Sequence, residues 1–137
     1  MALSSTVDGR ALFLGLVGAP YASDLFTTAV RVAEAAVRQR HQVTVWACGY
    51  ATTLTLCATG ETKPRNPWAW DVTCPSTASQ VRQLLGSVDG RLEWLVCRYC
   101  AQERGAVDQI PEVRMQPPGN FLRRANAAAV CLILGVK

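Results

Sequence analysis

The chain has 137 residues, 50% of them hydrophobic and 18% charged, with a formal net charge of +4. That length is enough for one domain with a real core, and the composition excludes a disordered chain. The basic residues are scattered, Arg38/Arg40 and Arg123/Arg124 being the densest pairs. With no basic stripe or interleaved aromatics, nucleic acid is not an expected partner. No apolar run reaches membrane-spanning length, and Met1 to Arg10 lacks the basic and apolar regions of a signal peptide. A cytoplasmic chain with no membrane contact is expected.

Ala11 to Val17 (ALFLGLV) is a continuous apolar run and reads as a strand buried on both faces. A turn follows at Gly18-Ala19-Pro20-Tyr21, after which Ser23 or Asp24 caps a helix with Phe26, Ala29, Val30, Ala33, Ala36 and Val37 at helical spacing. Gln42 to Ala47 is the second strand, and Ala51 to Thr59 reads as a short helix ended by Gly60. The segment 61–75 (ETKPRNPWAWDVTCP) is a Pro- and Trp-rich loop within the domain. Its Trp68 and Trp70 either face a partner or fold back as a lid over the core. Thr77 with Gln80 forms a capping box for a helix running to Leu85. Arg91 to Cys97 is the third strand, and Arg98 to Arg104 a turn or two of helix stopped by Gly105. Val113 to Met115, Asn120 to Ala127 and Ala129 to Leu134 read as strand, helix and strand.

Five strands nearly all separated by helices predict a single α/β domain over 1–137. Its sheet is five-stranded and mostly parallel, in a three-layer α/β/α sandwich. Ligand sites in such sheets lie beyond the carboxyl ends of the strands. Three segments arrive there: Gly18 to Ser23, Cys48-Gly49-Tyr50, and Cys97 to Cys100. Cys97 sits where a strand ends and a helix begins. Unpaired N–H groups and the helix dipole there favour the thiolate, and Arg98 and Arg104 add positive potential. Such a thiolate can attack sulfane sulfur and hold it as a persulfide.

Six cysteines, at 48, 57, 74, 97, 100 and 131, are expected to be reduced, with Cys131 a small buried hydrophobe in an apolar run. Cys97 and Cys100 form a C-x-x-C, which lets Cys100 resolve a persulfide on Cys97 as a disulfide. The pair comes too late in the chain for a thioredoxin-like motif. Zinc needs four ligands, and no second C-x-x-C exists; His41, the sole histidine, stands alone. No metal is expected. The turn 18–23, with one glycine and a proline, is a poor anion nest, so no phosphate or flavin cofactor is expected either.

Leu95 to Val107 (LVCRYCAQERGAV) resembles the strand–Cys–helix–Arg-Gly segment of the DsrE/DsrF-like proteins, which include the TusD-type sulfur-relay subunits. The opening Leu16 to Tyr21 with its alanine-rich helix, and the closing helix and strand at Phe121 to Leu134, are similar to the same family. The resemblance implies a flavodoxin-like fold without flavin, assembled into trimers or hexamers or with related subunits. It also implies that Cys97 accepts sulfur from a donor protein and passes it to an acceptor. Gly18 and Tyr21 in the first turn, with Arg98 and Arg104, would support that site. Cys100 is an addition to the relay pattern, and the 61–75 loop has no counterpart in it. Two other functions fit the residues: thiol-redox or sulfide sensing through Cys97/Cys100, and a non-enzymatic oligomeric module.

Overall fold

The computed structural model describes residues 9–22 and 24–135. Five strands, β1 (Ala11–Val17), β2 (Gln42–Cys48), β3 (Leu92–Cys97), β4 (Arg114–Gln116) and β5 (Val130–Gly135), form one sheet in the order β4-β3-β2-β1-β5. Every pairing is parallel. Four α-helices connect or flank them: α1 (Leu25–Arg38), α2 (Thr77–Ser87), α3 (Arg98–Glu103) and α4 (Asn120–Ala127). The expected parallel α/β sandwich is therefore present.

Handedness distributes the helices. From β1 through β4 each new strand is added on the same side of the last, whereas β5 returns to the far side of β1. Right-handed crossovers then put the first three helices on one face and α4 on the other. The packing agrees. Leu14, Leu16, Val43, Val45, Trp94 and Val96 are buried beneath α1, α2 and Ala101 of α3. The opposite face carries Phe13, Trp46, Leu95 and Cys97 beneath Phe121, Ala125 and Ala128. In α1 the buried stripe Ala29, Ala33, Ala36 lets the helix lie close to the sheet.

A single helix covers the second face, and Phe121 anchors it. Its ring meets Phe13 and Trp46 edge-on, at 5.2 and 5.6 Å between centroids. Gly15 makes room for this: a Cβ there would lie 2.6 Å from Ile133 Cδ1 and 3.6 Å from the Phe121 ring. Arg124 pairs with Glu93 of β3, fixing the helix at its other end. β5, at the sheet edge, runs largely exposed.

Several local expectations change. Asp24 caps α1 through its backbone only, with its carbonyl accepting from Thr28 N–H at 2.9 Å; Ser23 lies outside the described residues. The segment after β2 is not α-helix but two 3-10 stretches, Gly49–Thr55 and Cys57–Thr59. Thr52 and Thr53 donate their hydroxyls to the carbonyls of Gly49 and Tyr50 three residues back, which tightens the turn. Ser76, one residue earlier than expected, caps α2 by accepting from Ser79 N–H at 3.1 Å. Thr77 is buried and donates instead to the Leu54 carbonyl at 2.7 Å. Cys131 is exposed, because it lies on the edge strand β5, outside the part of that face which Phe121, Ala125 and Ala128 cover. The 61–75 segment is a loop without helix or strand, and it does not act as a lid: Trp68 is 95% exposed, and Trp70 lies beneath Arg65 at 5.3 Å.

Phe121→Ala is expected to lower stability by about 2–3 kcal/mol, below the about 3–5 of a fully buried phenylalanine because the ring is half-buried. Urea unfolding checks this. An unchanged midpoint would show that α4 holds to the sheet without that ring.

Candidate thiol site

β2 and β3 run in register, with Val45 beside Trp94, Trp46 beside Leu95 and Ala47 beside Val96. One step further along, each strand ends in a cysteine, Cys48 and Cys97. The two-residue period puts both on the α4 face, where Trp46 and Leu95 precede them. Cys97 caps α3, and one helical turn later Cys100 comes back over it. The Sγ atoms of Cys48, Cys97 and Cys100 all lie within 4.8 Å of one another. Cys97 is 2% exposed, while Cys48 and Cys100 are half-buried at the rim.

One N–H group is hydrogen-bonded to this cluster and two more lie near it. Trp46 Nε1–H donates to Cys48 Sγ at 3.0 Å. The backbone N–H groups of Tyr99 and Cys100, in the first turn of α3, lie toward the Cys97 sulfur without closing a capping hydrogen bond to it. They favour the thiolate, as the sequence leads one to expect. Burial is the larger effect and wins: it pushes the Cys97 thiol above its ordinary value. Burial first, and then the neighbouring Cys97, push the Cys48 thiol up to about 12, with the Trp46 donation opposing them. The expectation of a thiolate stabilised at neutral pH is therefore corrected. Burial holds Cys48 and Cys97 toward the protonated thiol, side by side with Cys100.

The other expected site residues fall around the trio. Arg98 opens α3 and is exposed to solvent. Arg104 ends it: its guanidinium donates to the Cys100 carbonyl at 3.4 Å, pairs with Glu103 at 3.0 Å and stacks on Tyr50 at 4.7 Å. It braces the α3 turn against the turn after β2, and its charge is already paired. Gly18 lies against Gly49, where a Cβ would stand 3.4 Å from the Gly18 nitrogen, so the turns after β1 and β2 touch. Tyr21 is more remote; its hydroxyl donates to the Thr53 carbonyl at 3.3 Å. It lines a cavity of about 530 Å³ with Pro20, Phe26, Lys63 and Pro64, whose lining includes no cysteine. His41 precedes β2, at the end of that strand away from the thiols.

The sequence reading brought Cys48 to the carboxyl end of the sheet but gave it no role at the site, and it missed Trp46. The signal was there: Cys48 ends a strand predicted to lie in a parallel sheet, and so does Cys97. Their adjacency needed the strand order and register, neither of which local pattern supplies.

No protein-family model and no curated protein matches the sequence. The fold is similar to that of the YchN protein from E. coli, with a TM-score of 0.71 at 18% identity. The match covers 91% of this chain and 99% of that one. At that identity the likeness establishes the DsrE-like, flavodoxin-like architecture and stops there.

A thiol alkylates as its thiolate, so a raised pKa moves the onset of reaction to higher pH. Alkylation of Cys48 is expected to keep rising by roughly tenfold per pH unit up to pH 10, far below its pKa of about 12. Peptide mass mapping of timed iodoacetamide reactions measures it. A plateau below pH 9 would show that the N–H donors outweigh burial.

Proposed function

We propose that this chain is a sulfur carrier of the sulfurtransferase type, with Cys97 as the atom that accepts sulfane sulfur. The observation that carries the reading is the convergence of Cys48, Cys97 and Cys100 within 4.8 Å at the carboxyl end of the sheet. Cys97 attacks the outer sulfur of a donor persulfide. Its thiol proton passes to the departing donor thiolate, and Cys97–S–SH remains. An acceptor thiol attacking that outer sulfur returns Cys97 to its thiol and carries the sulfur away. The N–H groups of Tyr99 and Cys100 offset negative charge on Cys97 as it develops during attack.

Cys100 supports a second reading. It interacts directly with the Cys97 sulfur, so it can attack the inner sulfur of Cys97–S–SH, releasing hydrosulfide and leaving a Cys97–Cys100 disulfide. A thiol reductant then restores both thiols. The same pair would serve redox or sulfide sensing, in which the disulfide is the signal. Cys100→Ser separates the two, because transfer survives its loss and disulfide cycling does not.

Partners enter this reading as a donor, an acceptor and further copies of the chain. Leu122 on α4 and Val130, Leu132 and Ile133 on β5 are exposed large hydrophobics on neighbouring elements. A homo-oligomer that covers them would remove apolar surface from water along the edge strand β5 and the adjoining helix α4.

Two measurements test the proposal. Intact mass after exposure of the reduced protein to a sulfane-sulfur donor is expected to show one added sulfur in wild type and Cys100→Ser, and none in Cys97→Ser. Sulfur retained by Cys97→Ser would move the acceptor elsewhere, and no adduct on any form would end the carrier reading. Sedimentation of wild type is expected to show an oligomer that Leu132→Glu with Ile133→Glu converts to monomer; a monomeric wild type would refute assembly through β5.

A further inference from the structure

Three thiols from three secondary-structure elements have one use that sulfur transfer does not require. Cys48 comes from β2, Cys97 from the end of β3, and Cys100 from the first turn of α3. Sulfurs bonded at about 2.3 Å to one centre lie about 3.5 to 4.0 Å apart, a spacing the trio reaches by small side-chain adjustments from its present 4.8 Å limit. Among the described residues no other histidine, cysteine, aspartate or glutamate joins the group. The donor set is all sulfur and three-coordinate. That excludes hard cations, which take oxygen ligands, and falls one ligand short of a structural zinc site.

Charge chooses among the soft centres. Three thiolates around a monovalent ion leave a net charge of about −2, and around a divalent ion about −1. The cluster is poorly hydrated, since Cys97 is buried and its neighbours half-buried. A net charge there is costly without a counter-charge. The nearest cation on α3, Arg104, is already paired with Glu103 and stacked on Tyr50, and Arg98 points to solvent. A trivalent centre leaves no net charge.

We infer that Cys48, Cys97 and Cys100 form a three-coordinate site for a trivalent thiophilic centre of the arsenite type. The reaction conserves charge and oxidation state throughout. Neutral As(OH)3 meets three neutral thiols, and three As–O and three S–H bonds break. Three As–S bonds form, and the thiol protons leave with the hydroxides as three waters. No proton need be released to solvent. The Trp46 indole N–H holds the Cys48 sulfur at 3.0 Å, the arrangement by which outer-shell donors orient ligands. This site stands on the trio whether or not Cys97 carries sulfur.

The test is titration of the reduced full chain with sodium arsenite, read by native mass and by X-ray absorption at the arsenic edge. The expected result is one arsenic per chain replacing three hydrogens, with three sulfur neighbours. Ser at 48, 97 or 100 is expected to weaken binding on the order of a hundredfold, as when one arm of a tethered contact is lost. Ser at the exposed Cys57, Cys74 and Cys131 should leave it unchanged. Two sulfur neighbours in wild type, or undiminished binding by Cys48→Ser, would overturn the inference without recourse to any variant that fails to fold. Displacement of arsenic by equimolar zinc(II) or copper(I) would overturn the charge argument. Cys48→Ser should lose arsenite yet still gain one sulfur from a persulfide donor, so failure of this site and failure of the carrier reading give different results.

Discussion

The parallel hydrogen-bonded pairing of β2 with β3 is the constraint on which the site depends. With Trp46 beside Leu95 and Ala47 beside Val96, the next residues of both strands are cysteines. Side chains alternate between faces, so a slip of one residue would send Cys48 into the α1 layer and leave Cys97 alone. Register is held on both sides of the sheet at once. Val43, Val45 and Ala47 fill one layer while Trp46 fills the other, so a slipped strand would bury its wrong set on each. The geometry of the thiols is thus a by-product of core packing.

The same packing explains why the cysteines are sheltered and the rest of their face is not. Three crossovers in one direction place α1, α2 and α3 together, and only the return to β5 brings a helix to the other side. α4 is short, and it seats its one large ring, Phe121, over Phe13 and Trp46 in the space Gly15 leaves. Trp46 in turn donates to Cys48. A chain of contacts therefore runs from the helix through two aromatic rings to a sulfur. A change in α4 seating, by mutation or by a partner on β5, has a direct mechanical route to the thiols.

Much of the fold was legible because continuous apolar strands and an alanine stripe at helical spacing report burial on both faces of a parallel sheet. The bounds of β1 and α4 match the sequence reading to the residue. What failed was tertiary. Thr52 and Thr53 look neutral toward helix until their hydroxyls turn back on the chain, and Thr77 looks like a cap until its burial demands the Leu54 carbonyl. Cys131 sits in an apolar run that reads as core, but burial of an edge strand depends on what lies over it. Cys97 was legible as a candidate site because strand-to-helix turns have a chemistry of their own. Its protonation state was not, because the helix N–H groups are a local feature and burial is a global one. Cys48 was named as arriving at the sheet's edge, yet only strand order makes it the neighbour of Cys97.

Burial of a thiol is usually an argument against reactivity, since the thiolate is the nucleophile. At this cluster it works as a filter on the kind of reaction. A step that leaves a lasting charge among Cys48, Cys97 and Cys100 must overcome poor hydration, with the Trp46 N–H and the nearby first turn of α3 to help. A step that exchanges one neutral sulfur-bound group for another meets no such barrier beyond its transition state. Protonated persulfide replacing thiol, disulfide replacing two thiols, and a trivalent centre replacing three thiol protons are all of the second kind. Each also uses a different number of the sulfurs: one, two and three. The cluster therefore favours thiol chemistries that begin and end neutral, and the count of sulfurs engaged distinguishes one from another.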